Sequence, residues 1–309
     1  MLPNTKLPLP KLTFGAGAIG GIYGGDDDDE AVLTVRAALD AGQLLIDTSP
    51  YYGAGRSETL LGKVLPEIPR EDFVLSTKCG RYGLDDFDFS PARIQRSIDE
   101  SLSRLQLDNV DVLLLHDVEF TDLTQIVDEA IPALESVRAS GKTRFIGFSG
   151  LPLKIFRTII PQAPDSIDLV LSYCHLNLFD STLLDLLPLL SEHKVDLINA
   201  SPTSMGLLTS QGPPDWHPAS DKIKDTCLAA AQHCSERGVE LADLSVAYAC
   251  NHPSIPTTLV GAENRQRLRS NIAQASQPLD QTLLAEVQAI LAPIKNQTWP
   301  SGLTENNDS

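Results

Sequence analysis

The chain has 309 residues, enough for one large or two smaller α/β domains with a full core. Its 42% hydrophobic and 21% charged residues are an ordinary soluble composition. The 41 acidic and 24 basic residues leave a formal charge of −17, which excludes nucleic acid and anionic membrane as partners, because both demand clustered Lys and Arg to displace counterions.

The first twenty residues lack the basic start and long apolar run of a secretory leader, and no window approaches the roughly 18 apolar residues of a span. The expected location is the cytosol. Cys79, Cys174, Cys227, Cys234 and Cys250 are odd in number and form no C-x-x-C pair, as expected of reduced thiols.

The first apolar run, residues 12–14, leads into FGAGAIGG, where Gly15, Gly17 and Gly20 form G-x-G-x-x-G. A pyrophosphate site of that pattern needs a helix to start at once under the phosphate. Here Gly21, Gly24 and Gly25 follow, then Asp26 to Glu30, so a helix is expected only from about Ala31 and the carboxylates would repel phosphate. The glycines read as a strand-to-loop corner and the acidic run as a solvated loop.

Seven more apolar runs follow, at residues 44–47, 73–78, 110–116, 143–149, 168–173, 195–200 and 257–260. Segments of helical period separate them. Ser90 is an N-cap before Pro91, and Ile94, Ile98, Leu102 and Leu105 then share one face. Residues 122–140 form a helix closed by Gly141, and Ser181 caps the segment through Leu183, Leu184 and Leu187. Strands this uniformly apolar are buried on both faces, which predicts an α/β fold, a closed (β/α)8 TIM barrel, over residues 1–298. The aperiodic stretch 205–221 is a long functional loop, and residues 299–309 form a polar tail expected to fray. Cys227, His233 and Cys234 share a helix without a fourth ligand in register, so no metal is expected.

In such a barrel reactive groups stand at the C-terminal ends of strands. Asp47 ends the second run, Lys78 the third and His116 the fourth, with Tyr51 and Tyr52 just beyond Asp47. Each has an ordinary structural explanation alone. Together they form a set with a mechanism: a phenol near pKa 10 needs a neighbouring ammonium to stabilise its anion, a carboxylate holds the ammonium, and an imidazole bonds the reacting oxygen.

The string Asp47-Thr48-Ser49-Pro50-Tyr51-Tyr52-Gly53, with Ser76-Thr77-Lys78 and Leu114-Leu115-His116, closely resembles the aldo-keto reductase superfamily, whose catalytic Asp, Tyr, Lys and His stand in this order. The tyrosine directly before the glycine selects Tyr52. Within the superfamily, YYGAGRSETLLGKVL, STKCGRYG, VDVLLLHDVEF and GKTRFIGFSGLPL are similar to the L-galactose dehydrogenase branch. That resemblance implies oxidation of the anomeric C1 hydroxyl of L-galactose, or of the related L-fucose or D-arabinose, to the aldonolactone with NAD. Tyr52 would take the hydroxyl proton, Lys78 and Asp47 would polarise Tyr52, and His116 would orient the oxygen.

The resemblance places NAD along Gly17 and Ala18, Ser149, Tyr173, Ser201, Met205, Gly206 and Leu207, then Gly261, Glu263 and Arg267, with Asn271 near the adenine. The usual Ser-Asn after the fifth strand is Ser149-Gly150 here, and the usual stacking aromatic is Ala200, so Tyr173 is expected to face the nicotinamide. Glu263 would repel a 2′-phosphate, favouring NAD, although Arg267 and Arg269 leave NADP open. Arg81, Asp117, Phe120 and Trp216, beside Tyr52 and His116, are the candidate sugar contacts. Two other readings are a broad NAD(P)H-dependent aldehyde reductase and a nucleotide-sensing channel subunit; the intact set of four argues against the second.

Overall fold

The protein was analysed as a computed structural model that describes residues 1–21 and 27–308. Among these residues eight parallel strands close into a barrel in sequence order: β1 (Leu12–Gly15), β2 (Leu45–Asp47), β3 (Val74–Cys79), β4 (Val110–Leu115), β5 (Thr143–Gly150), β6 (Leu169–Tyr173), β7 (Asp196–Ala200) and β8 (Thr258–Gly261). The barrel closes where Leu12 to Gly15 register with Thr258 to Gly261. Every expected strand is present, with ends displaced by about a residue.

Helices α1 (Asp28–Asp40), α2 (Arg56–Gly62), α3 (Pro91–Leu105), α4 (Leu123–Gln125), α5 (Ile131–Ala139), α6 (Leu153–Ile159), α7 (Leu187–Glu192), α8 (Asp221–Ser235), α9 (Leu241–Cys250), α10 (Arg265–Ala275) and α11 (Gln281–Leu291) surround it. Strand alternation sorts the core into two layers. Phe14, Ile46, Leu75, Leu113, Ile146, Val170 and Leu197 pack in the cluster shared with the helices. Leu45, Val74, Val112, Leu114, Leu169, Leu171, Ile198 and Leu259 fill the interior with Leu2, Leu7 and Leu9 from the N-terminal segment. That segment is tied down by Asp196, which accepts from Asn4 N at 3.0 Å and Thr5 N at 2.7 Å.

Several local expectations are corrected. Helix α1 starts at Asp28, with Asp27 as N-cap accepting from Asp29 N and Glu30 N. The acidic run is therefore a helix start rather than a loop, since carboxylates are favourable against the N-terminal dipole. Asp28 also pairs with Arg56 and Lys63, and Glu30 with Arg265, which joins α1 to α2 and α10. Gly24, Gly25 and Asp26 lie outside the described residues. The helix expected over 122–140 runs from α4 through a π-helical stretch, Ile126–Ala130, into α5. Ser181 makes no capping bond; Asp180 takes Thr182 N instead, at 2.8 Å.

The C-terminal tail is docked, not frayed. Trp299 is 5% exposed, and Asp308 accepts from Leu153 N and Lys154 N, both at 2.8 Å, at the start of α6. Polar composition hid these bonds because their partners lie some 150 residues away along the chain. No helix among the described residues is long and apolar enough to cross a membrane.

Candidate active site

The loop after β2 packs closely against the glycines that follow β1, and at Gly53 the approach is one that only glycine permits. A Cβ on Gly53 (φ +64°) would lie 2.1 Å from the Gly20 carbonyl oxygen, and one on Gly20 would lie 3.0 Å from the Tyr52 backbone. One on Gly17 would sit against the Tyr52 ring at 3.5 Å. The FGAGAIGG corner thus seats Tyr52. Ser57, at the start of α2, shares a 2.8 Å hydrogen bond with the Thr48 hydroxyl and bonds the Ala16 carbonyl at 2.9 Å, which fixes the far side of the loop.

Lys78 points from β3 into the space beneath Tyr52. Its ammonium donates to Asp47 Oδ1 at 2.5 Å, to the Thr48 carbonyl at 2.8 Å and to the Tyr52 hydroxyl at 3.2 Å. Lys78 and Asp47 are both 1% exposed. Burial by itself would pull the ammonium pKa down, but Asp47 and Tyr52 outweigh it and the net direction is up, so Lys78 is charged. Tyr52 answers to the same forces with a different outcome. Burial raises its pKa, Lys78 only partly offsets this, and Tyr52 rests as the neutral phenol.

His116 follows β4, its Nδ1 2.9 Å from the Ser49 hydroxyl and its ring edge-on to Tyr52 at 5.6 Å. Burial, the largest effect, lowers its pKa to about 3, with Lys78 and Arg81 pushing the same way against Asp117, so the ring is neutral. If Ser49 donates to Nδ1, the ring proton sits on Nε2, which lies 3.6 Å from Asp117 Oδ2 and can bond an oxygen beside Tyr52. Asp117 has an uncommon left-handed backbone (φ +55°) and pairs with Arg81 at 2.5 Å. The Arg81 guanidinium lies 4.1 Å from the centre of the Tyr51 ring and also faces Phe87 and Phe120, which stack at 4.4 Å.

A cavity of about 700 Å³ opens past the ends of β7 and β8. Of the residues expected to hold a dinucleotide, Ala18, Ser201, Met205, Gly206, Gly261, Glu263, Arg267 and Asn271 line it. Gly17 is adjacent, facing Tyr52, and so links cavity and catalytic corner. Ser149 spends its hydroxyl on the Leu115 carbonyl at 3.3 Å and on Asp117 N at 3.4 Å, while Tyr173 is half-buried with its hydroxyl toward Glu119. The Leu207 side chain is buried in the apolar core and does not line the cavity. Trp216 is 54% exposed, stacks on His217 and does not line this cavity.

Sequence reasoning missed four contributors. Ser49 lies inside the quoted motif and was discoverable as a neighbour. Glu240 lines the cavity while accepting from Ser210 N and Ala242 N. Asp243 holds Arg267 at 2.9 Å, so this cation already has a carboxylate partner. Glu119, fully buried, carried no local signal.

A model of the Aldo/keto reductase family matches residues 11–292. The chain is 48% identical to L-galactose dehydrogenase of Arabidopsis thaliana, over 99% of this chain and 98% of that one. It is 32% identical to D-arabinose 1-dehydrogenase of Saccharomyces cerevisiae, over 87% and 86%. The structure of a glycerol dehydrogenase from Gluconobacter oxydans superposes with a TM-score of 0.74 at 26% identity, covering 98% of each chain. With four ionisable side chains gathered at three strand ends of a closed barrel and the family match spanning nearly all of it, the chain belongs to the aldo/keto reductase family.

Proposed function

We propose that this protein is a sugar 1-dehydrogenase that oxidises the anomeric C1 hydroxyl of L-galactose, or of the related L-fucose or D-arabinose, to the aldonolactone with NAD. The observation that carries the reading is the buried chain Asp47–Lys78–Tyr52, at 2.5 and 3.2 Å, with neutral His116 beside it. The high identity to L-galactose dehydrogenase supports the sugar.

The cavity suits a dinucleotide in size and place: it lies at the C-terminal end of the barrel, past β7 and β8, where this fold binds phosphates. Positive φ at Ser201, Ser204, Met205 and Gly206 bends the backbone around its lining. When bound, the nicotinamide supplies the hydride acceptor. The protein's share of the work is proton handling and orientation. Tyr52 acts as base through its phenolate, formed when the phenol proton is released to water: the phenolate takes the C1 hydroxyl proton and returns to the phenol, Lys78 lowers the cost of forming it, Asp47 keeps Lys78 charged, and Nε2–H of His116 holds the C1 oxygen. Arg81 and Asp117 offer paired donors and acceptors to the ring hydroxyls, with Phe120 as an apolar wall. For the dinucleotide, Glu240 and Glu263 in the lining and the engagement of Arg267 by Asp243 disfavour a 2′-phosphate.

The test is a panel of aldoses and simple aldehydes with NAD and NADP, followed by nicotinamide absorbance. The expected result is sugar oxidation with NAD, L-galactose being the best substrate. Turnover of simple aldehydes with NADPH and no sugar oxidation would replace this reading with the aldehyde reductase.

A further inference from the structure

Glu119 sits in the short turn Val118–Phe120, between Asp117 and Phe120, and is fully buried. Its Oε1 gathers donors from three other parts of the chain: Leu151 N at 3.1 Å, the Ser301 hydroxyl at 2.9 Å and the Tyr173 phenol at 3.4 Å. Its Oε2 is buried with no hydrogen-bond partner among the described residues. Gly150 makes room for that oxygen, since a Cβ there would lie 2.5 Å from it. The Glu119 carbonyl in turn accepts from Leu303 N and Asn306 Nδ2, each at 2.9 Å. A Cβ on Gly302 (φ +70°) would meet that carbonyl oxygen at 2.2 Å. Loop, strand end and C-terminal segment therefore converge on one residue.

An ionised carboxylate here would leave a charged oxygen buried without a donor, whereas a protonated acid leaves only a weak unmet hydroxyl. The titratable and charged groups around it are Asp117 on its own turn and Tyr173 on β6, with Arg81 already engaged by Asp117. From the β5 side and the C-terminal segment it meets uncharged donors, Leu151 N and Ser301.

We infer that Glu119 is a positioning residue that works as a neutral carboxylic acid, fastening the C-terminal segment to the Asp117–Phe120 turn and to Tyr173. Sugar wall and nicotinamide-facing ring are then held by a single side chain; this consequence rests on the sugar dehydrogenase reading, while the fastening itself does not. In agreement, burial first and the Asp117 charge second raise the Glu119 pKa to about 8.

The test compares wild type with Glu119→Gln, a neutral isostere at every pH, and with Glu119→Ala and the milder Ser301→Ala. Hydrogen–deuterium exchange of residues 299–308, corrected for intrinsic rates, is read at about pH 6 and about pH 9, either side of the titration. Wild type should protect the segment at the lower pH and lose protection at least about tenfold at the higher, the weight of one buried hydrogen bond. Glu119→Gln should protect at both, Glu119→Ala at neither, and Ser301→Ala should weaken protection at both.

In steady state, Glu119→Ala should raise KM for sugar and NAD about tenfold while kcat changes less, and Glu119→Gln should keep both KM values near those of wild type at about pH 6 and hold them there at about pH 9, where those of wild type rise. Equal wild-type protection at the two pH values, or a Glu119→Gln segment as open as that of Glu119→Ala, would overturn the inference. Absence of sugar oxidation by wild type would instead sink the functional reading, and the exchange experiment would still decide the role of Glu119.

Discussion

The corner formed by Asp47, Tyr52, Lys78 and His116 and the wall formed by Glu119, Tyr173 and Ser301 lie at the same end of the barrel but are assembled differently. In the corner, Lys78 and Asp47 are 31 residues apart, on strands whose pairing is set by barrel closure. In the wall, Ser301 reaches back 182 residues to Glu119 through a side-chain hydrogen bond. The corner inherits its geometry from eight hydrogen-bonded strands; the wall depends on a few polar contacts. Changes that reshape the second should therefore leave the geometry of the first in place.

Four experiments can break or sharpen that contrast. The largest effect belongs to Tyr52→Phe, which should lower turnover by roughly a thousandfold or more as a proton-transfer group is lost. NADH binding by fluorescence should be unchanged; near-full turnover in this variant would end the corner's catalytic assignment. Next, Lys78→Met leaves the Asp47 charge buried and unpaired, at a stability cost of about 3–5 kcal/mol seen in the melting temperature. Adding Asn at position 47 should recover stability without turnover, and a Lys78→Met protein as stable as wild type would show the pair is not dry.

The two regions should also respond to pH with opposite sign. His116 has its pKa lowered from 6.5 to about 3, chiefly by burial, so the unfolded chain binds its proton more readily. Its contribution is fully present above about pH 6.5 and is lost as pH falls toward 3. Glu119 is raised from 4.5 to about 8, so its contribution is present below pH 4.5 and is lost as pH rises toward 8. Melting curves across pH should therefore flatten on the acid side in His116→Asn and on the alkaline side in Glu119→Gln; a shift on the wrong side in either variant would refute that assignment. The smallest effect is expected from Glu263→Ser at the cavity rim, a rise of a few fold in kcat/KM with NADP as one carboxylate repulsion is removed. An unchanged ratio would leave Asp243 and Glu240 as the discriminating groups.

Much of this was legible in the chain. Strand positions followed from apolar runs, because both faces of a barrel strand are covered and no polar alternation intrudes. Asp47, Lys78 and His116 announced themselves by ending such runs. The acidic run reads as a solvated loop when its carboxylates are weighed only against a bound phosphate, and not against the helix dipole that they cap. The resemblance sets Leu207 along the dinucleotide with Met205 and Gly206, and its side chain turns into the core.

The amino-acid order alone determined the alternation of strand and helix, the closure of the barrel and the identity of the groups at the strand ends, since these depend on local periodicity and on residue type. Only the tertiary structure decided what the glycines after β1 are for, that Tyr52 rests as a phenol despite Lys78, and that a polar C-terminus is bound to Glu119. Those outcomes depend on burial and on contacts between residues far apart in sequence, where desolvation and a few hydrogen bonds outweigh anything a local pattern records.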